Sequence, residues 1–326
     1  MRNTLLMKPQ KISVLSKNDS FLGYSKSQLF LIRFTNQAFF WSCCYINSSS
    51  SQTISDRLTV IFAQNSNINY VRQAYALALS IKKFNKINQV CLITNDSIPL
   101  EYIIAFDHIV PIPWGDMASN SEWKIENRWK IIYVSPFKEN LVYDSDMILL
   151  SSNDHYWYHL QNYDIALTQN VIDYKGNSIT CKNNPYRNVF FNNDLPDVYF
   201  GLHYYKKNKI SLEFYKWLEY IIKNWTLFSN EFTKKSTQKS PSLDVASALA
   251  MKFGNFNITN DILSFIHMKP LIQGWNKNAI ETWIDHTYYD FNKDCILSIA
   301  NTQQSGLFHY TDDAFLSDEI IEYLKT

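Results

Sequence analysis

Asp144 and Asp146 sit one residue apart in the apolar run Asn140–Leu150 (NLVYDSDMILL). On extended chain, residues i and i+2 point the same way, so both carboxylates can face one point in space. Two like charges that close raise each other's pKa unless a cation lies between them. A hard divalent ion, Mg²⁺ or Mn²⁺, suits such an oxygen pair, and substrate phosphates commonly complete its shell. The plain alternative is an Asp-Ser-Asp turn after a strand, with no chemistry attached. The apolar residues on both sides favour the first reading. Leu141–Tyr143 reads as a central strand buried on both faces, with the acidic pair at or just past its carboxyl end. That edge is where open α/β sheets bind ligands.

The elements that must position this pair alternate from Leu58 onward. Leu58–Ala63 (LTVIFA) is a short strand followed by a polar segment, Gln64–Asn69. Tyr70–Phe84 has helical spacing, with Val71, Ala74, Leu77, Ala78 and Ile81 on one stripe. Gln89–Thr94 and Asp107–Ile112 are further strands, and Glu122–Val134 is compatible with a helix that Pro136 ends. This β-α-β order predicts an α/β fold, a Rossmann-type sandwich with a mainly parallel central sheet flanked by helices. Leu212–Trp225 reads as a core helix, with Trp217 and Trp225 as packing residues. The chain holds only 7 glycines, with no Gly-x-Gly-x-x-Gly and no Walker loop. The phosphate grip of a dinucleotide-dependent dehydrogenase or a P-loop enzyme is therefore absent. Ala63–Asn69 contains no glycine either, which disfavours a nucleotidyltransferase that makes sugar nucleotides. Any diphosphate bound here must be held by metal and side chains.

Three segments together resemble a known family. The first is Asn65…Tyr70-x-x-Gln-Ala74…Leu77-x-x-Ser80-Ile81, after the opening strand. The second is Arg128-Trp-Lys130…Tyr143-Asp144-Ser-Asp146. The third pairs Tyr199-Phe-Gly201-Leu with the Asp244 segment. Over residues 57–310 the arrangement resembles the GT-A nucleotide-sugar glycosyltransferases, in particular the glycogenin and lipopolysaccharide-galactosyltransferase-like group. Two positions depart from that group: its Asn-x-Gly reads Tyr199-Phe-Gly201, and its Asp-Gln reads Asp244-Val245.

The resemblance implies a metal-dependent hexosyltransferase, retaining in its closest relatives. It would move a sugar from a nucleoside diphosphate donor to a carbohydrate or glycolipid acceptor, with Mn²⁺ or Mg²⁺ as cofactor. Asp146 would ligate the metal directly, and Asp144 would bind metal and ribose. His309, in a strand-like run near the chain end, would be the third metal ligand, with His267 as the alternative. Tyr70 would stack on the nucleobase, with Asn65 and Asn95 within reach of its polar edge. Arg128 would contact phosphate or the donor sugar, with Lys130 and Lys124 competing for that role. Lys269 would neutralise a phosphate. Asp244 would orient sugar hydroxyls or assist at the anomeric centre, its plain alternative being a helix N-cap. Gly201 would let backbone approach the donor sugar.

Composition narrows the alternatives. A net charge of +1 over 326 residues argues against a nucleic-acid partner, which needs a basic face. The patch Lys234–Lys239 reads as a solvated loop. The five cysteines, Cys43, Cys44, Cys91, Cys181 and Cys295, have no Cys-x-x-Cys spacing and are odd in number. Neither zinc nor a disulfide framework is suggested, and a reducing, cytoplasmic compartment is the simpler expectation. Residues 1–56 read as an N-terminal extension, poorly ordered or loosely docked. Leu29–Ile46 is an apolar run of 18 residues, the alternative being a membrane anchor, but Arg33 interrupts it. The remainder, 57–326, divides on this view into a nucleotide-binding half (57–150) and an acceptor-binding half (151–326). A catalytically silent carbohydrate-binding protein on the same scaffold is the rival from a different class.

Overall fold

Arg57–Phe62 (β1) forms a strand whose five residues after Arg57 are all buried, as a strand covered on both faces must be. The computed structural model describes residues 57–121, 124–180, 187–233, 240–268 and 282–326. The N-terminal segment 1–56, Lys234–Lys239, Lys269 and the cysteines Cys43, Cys44 and Cys181 lie outside them. Cys91 and Cys295 are buried free thiols, and burial pushes Cys91 up to about 12. Among the described residues no helix is long and apolar enough to cross a membrane.

The remaining strands of the main sheet are β2 (Val90–Ile93), β3 (His108–Val110), β4 (Glu139–Tyr143), β5 (Met147–Leu149), β6 (Ile165–Ile172), β7 (Tyr199–Lys206) and β8 (Thr259–His267). A small antiparallel sheet follows from β9 (Tyr289–Phe291), β10 (Leu297–Ile299) and β11 (Thr302–Gln303), and β12 (Leu307–His309) returns to the main one. The nine-stranded order is β3-β2-β1-β4-β7-β6-β8-β12-β5. The pairs β1–β2, β1–β4, β2–β3, β6–β8 and β8–β12 are parallel. The pairs β4–β7, β6–β7 and β5–β12 are antiparallel. The mixed α/β class with a mainly parallel sheet is thus the one the alternating pattern predicts.

The two faces are covered separately. Along β4, Leu141 and Tyr143 enter one core and Val142 the other, the period of two that extended chain imposes. The first core is covered by the helices Tyr70–Phe84 and Asp318–Lys325, the second by Lys209–Lys223 and Leu243–Gly254. Tyr70–Phe84 has the predicted limits. Its N-cap Asn69 accepts from the Arg72 N–H, and Lys82 and Lys83 occupy its last turn, where cations suit the helix dipole. The expected helix over Glu122–Val134 is a 3₁₀ segment, Ile125–Lys130, followed by one α turn, Ile131–Val134. The core helix expected over Leu212–Trp225 runs Lys209–Lys223, and Asn224 divides it from a second helix, Trp225–Phe232.

One connection decides where the site lies. β4 and β5 are five strand steps apart in the sheet, yet only Asp144, Ser145 and Asp146 join them. A flat sheet would separate them by about 24 Å, whereas four residue steps of extended chain span about 14 Å at most. The sheet therefore curls until its β5 edge comes round to the end of β4. Curling brings β12 and β8 with it, so the sheet runs unbroken across residue 150.

Candidate active site

β1 has β2 on one side and β4 on the other, so strand order reverses between β1 and β4. Ligands in open α/β sheets bind outside the carboxyl ends of strands at such a switch point. Asn65 follows β1 there, the helix Tyr70–Phe84 begins there, and Asp144 follows β4 there. His267 and His309 end β8 and β12, and Met147, the first residue of β5, pairs with His309.

Side chains of Asp144, Asp146 and His309 each offer one ligand atom, all within 4.8 Å of one another. His309 Nε2 lies 2.9 Å from Asp146 Oδ2, and the Tyr310 N–H donates to the Asp146 carbonyl at 3.2 Å. Burial alone would raise the Asp146 carboxyl. The His309 imidazole, through charge and hydrogen bonding, and Arg128 outweigh it and hold the group low. His267 lies behind: its ring stacks on His309 with centroids 4.6 Å apart and planes 18° from parallel. Of the two histidines, His309 is the one that reaches the carboxylates.

Asp144 is fixed from two sides. Arg128 Nη2 pairs with its Oδ1, while Arg128 Nη1 donates to the Phe62 carbonyl at 3.3 Å. The Asp144 N–H donates to the Gly201 carbonyl at 2.7 Å. A Cβ on Gly201 would lie 2.6 Å from Asp144 Oδ2, so the space a side chain would fill is already taken by the carboxylate.

Tyr70 stands next to this group. Burial pushes its hydroxyl up to about 12, helped by Asp146 and Asp144 and opposed by Arg128 and by a hydrogen bond with Ser66. It is a proton donor at any working pH. Asn65 and Asn95 are turned to the backbone instead. Asn65 Oδ1 accepts from the Val71 N–H at 3.0 Å, and its own N–H donates to Asp96 Oδ2 at 2.6 Å. The Asn95 amide bonds both the N–H and the carbonyl of Ile112. Lys130 is buried and donates to the Gly115 carbonyl at 2.6 Å, and Lys124 donates to the carbonyls of Ala118 and Ser119. Neither lysine joins the group around Asp144.

Asp244 is the second residue of its helix, and Ser242 is the N-cap. Its Oδ1 accepts from the Phe200 N–H at 2.9 Å, one residue before Gly201. Its Oδ2 accepts from Arg187 Nη1 at 2.9 Å. Arg187, absent from the sequence-based candidates, is buried and also holds Asp197 and the Val198 carbonyl. Nothing in its neighbourhood, a polar stretch without periodicity, singles it out.

No family model and no curated protein matches the chain. Solved structures do. The apo-form glycosyltransferase GlyE of Streptococcus pneumoniae TIGR4 aligns with 63% of this chain and 45% of its own, at 16% identity and a TM-score of 0.39. The galactosyltransferase LgtC, in complex with donor and acceptor sugar analogs, aligns with 82% of this chain and 95% of its own, at 13% identity and a TM-score of 0.48. The bifunctional glycosyltransferase WbbM aligns with 66% of this chain and 40% of its own, at 12% identity and a TM-score of 0.39. The alignment thus spans less than half the length of GlyE and of WbbM.

Proposed function

We propose that the chain is a metal-dependent glycosyltransferase acting on a nucleoside diphosphate sugar. One observation carries the reading: Asp144, Asp146 and His309 converge at the carboxyl edge of the sheet, at its switch point. The motif resemblance over residues 57–310 supports it. The donor set fits a divalent ion. Two carboxylate oxygens suit Mg²⁺ or Mn²⁺, and the imidazole favours Mn²⁺ of the two. When bound, the ion would offset the charge that builds on the diphosphate as the glycosidic bond breaks.

The chain's own groups supply the rest. Arg128 holds Asp144 in place and keeps one cation beside the phosphate path. The protonated Tyr70 hydroxyl stands beside Asp144 and Asp146, with its ring available to the base. Asp244, which holds the Phe200 N–H one residue before Gly201, would accept hydrogen bonds from donor-sugar hydroxyls. The acceptor would be a carbohydrate or glycolipid.

A thermal-shift panel of UDP, GDP and their hexose conjugates, with and without Mn²⁺, tests this. Ligands that bind the native state alone raise the melting temperature. The expected result is a rise that needs both nucleotide and Mn²⁺ and that disappears in a folded Asp146→Ala variant. No rise with any nucleotide, or a rise indifferent to Asp146→Ala, would overturn the proposal.

A further inference from the structure

Arg187 is the most heavily engaged buried cation among the described residues. Its Nε and Nη2 hold Asp197 at 2.7 and 2.5 Å, Nη2 bonds the Val198 carbonyl at 2.6 Å, and Nη1 bonds Asp244 at 2.9 Å. Its guanidinium carbon lies 3.8 Å from the ring centroid of Tyr199 and 4.1 Å from that of Phe190. One guanidinium thus serves two carboxylates, and the two differ in access. The Asp197 side chain is 7% exposed and that of Asp244 is 19% exposed, with Arg187 at 2%. Asp197 completes a buried ion pair, whereas the more open Asp244 is also tied to the strand that carries Gly201, through the Phe200 N–H.

A carboxylate offers about four acceptor positions. Asp244 spends one on Arg187 and one on the Phe200 N–H. The remaining two are aimed by those bonds rather than free to rotate, and an acceptor held in place recognises hydroxyls better than a mobile one. Without Arg187, Asp244 would keep one tether and lose the charge that balances it.

We infer that Arg187 is a positioning residue for donor-sugar recognition: it orients Asp244 so that its open acceptor positions meet hexose hydroxyls, without touching the substrate itself. The inference rests on the glycosyltransferase reading above. It predicts a separation between two parts of one ligand. Recognition of the diphosphate belongs to Asp144, Asp146 and His309, and recognition of the hexose to the Arg187–Asp244 pair.

The experiment compares affinities, in Mn²⁺, for UDP and GDP with those for UDP-glucose, UDP-galactose and GDP-mannose, using wild type, Arg187→Gln and Asp244→Asn. Wild type should bind a bare diphosphate and at least one hexose conjugate. Arg187→Gln should leave bare-diphosphate affinity unchanged and weaken the conjugate by about tenfold or more, the loss expected for a hydrogen bond to a charged group. Asp244→Asn keeps the shape and the Phe200 contact, and should show the same selective loss. It serves as the deciding variant if Arg187→Gln does not fold. Equal weakening of both ligands would reveal a merely structural role and overturn the inference. An unchanged ratio in Asp244→Asn would overturn it too. Wild type that binds no diphosphate in Mn²⁺ would sink the glycosyltransferase reading, and this inference with it.

Discussion

Gly201 lies against the carboxylate of Asp144 so closely that a single added methyl would sit 2.6 Å from Oδ2 and 3.3 Å from the Met147 methyl. The glycine is in a strand, and its value is space. Asp144 cannot simply swing away, because Arg128 holds its other oxygen and the backbone N–H is bonded to Gly201 itself. Gly201→Ala should therefore displace the Asp144 carboxylate while the fold survives. A misplacement of about 1 Å at a reacting group can cost roughly 100-fold in rate. Mn²⁺ titration by calorimetry, alongside a thermal melt, checks this. Unchanged Mn²⁺ affinity in Gly201→Ala would show that the close approach has no bearing on the site.

The stacked pair His267 and His309 divides one task unequally. His309 reaches Asp146 at 2.9 Å, while His267 offers its ring face from the neighbouring strand. Removing a ligand should cost more than replacing the ring that supports it. His309→Ala is expected to lower Mn²⁺ affinity by roughly 100-fold or more, beyond what loss of a supporting group usually costs. His267→Phe keeps a flat ring in the stack and should cost about tenfold or less. Equal losses in the two variants would mean that His267 enters the metal's shell.

Much of this arrangement can be read from residue order, for a physical reason. Tyr70–Phe84 and the strands around Leu58, Gln89 and Leu141 bury one stripe or both faces, and burial leaves a periodic trace. The acidic pair shows because its spacing matches the pleat. What stays hidden depends on contacts across long separations. Nothing near Met147 says that β5 crosses to the far edge of the sheet, since that follows from the curl. Glu122–Val134 reads as one helix, yet the 3₁₀ turn over Ile125–Lys130 sends Arg128 to Asp144 and Lys130 to Gly115. Asn65 and Asn95 look like base-binding amides, and the structure turns both to backbone groups within a loop or between strands. Arg187 meets Asp244 across 57 residues of sequence, and no local pattern encodes that meeting.

Ser80 illustrates a motif residue whose work is structural. Its hydroxyl donates to the Leu77 carbonyl at 2.7 Å and accepts from the Leu149 N–H at 2.9 Å. Leu149 is in β5, the edge strand that the curl brings round, so this bond ties the covering helix to the strand that follows Asp146. Both residues are fully buried. Ser80→Ala would strand a buried N–H, at a cost of about 1–3 kcal/mol. A urea melt should show a lowered midpoint with an unchanged slope. A variant as stable as wild type would mean that water or a backbone shift satisfies Leu149.

His203 sets an acid limit on stability. It is buried in β7, two residues after Gly201, with Nδ1 2.9 Å from the Phe200 carbonyl and Nε2 2.7 Å from the Tyr215 hydroxyl. A carbonyl can only accept, so Nδ1 carries the proton and Nε2 accepts from Tyr215. The ring is neutral and fully bonded as it stands. Burial brings its pKa down to about 3, with the Phe200 carbonyl acting against that shift and Arg128 acting with it. In the unfolded chain the ring titrates near 6.5, so between about 3 and 6.5 the unfolded state binds a proton that the folded state refuses. The stabilisation is complete above pH 6.5 and is lost as pH falls toward 3, on the order of a few kcal/mol in all. His203→Gln removes the titration while keeping a donor and an acceptor. Melting temperatures from pH 8 to pH 4 should fall more steeply in wild type than in His203→Gln. Parallel curves would show that acid lability lies with the carboxylates alone.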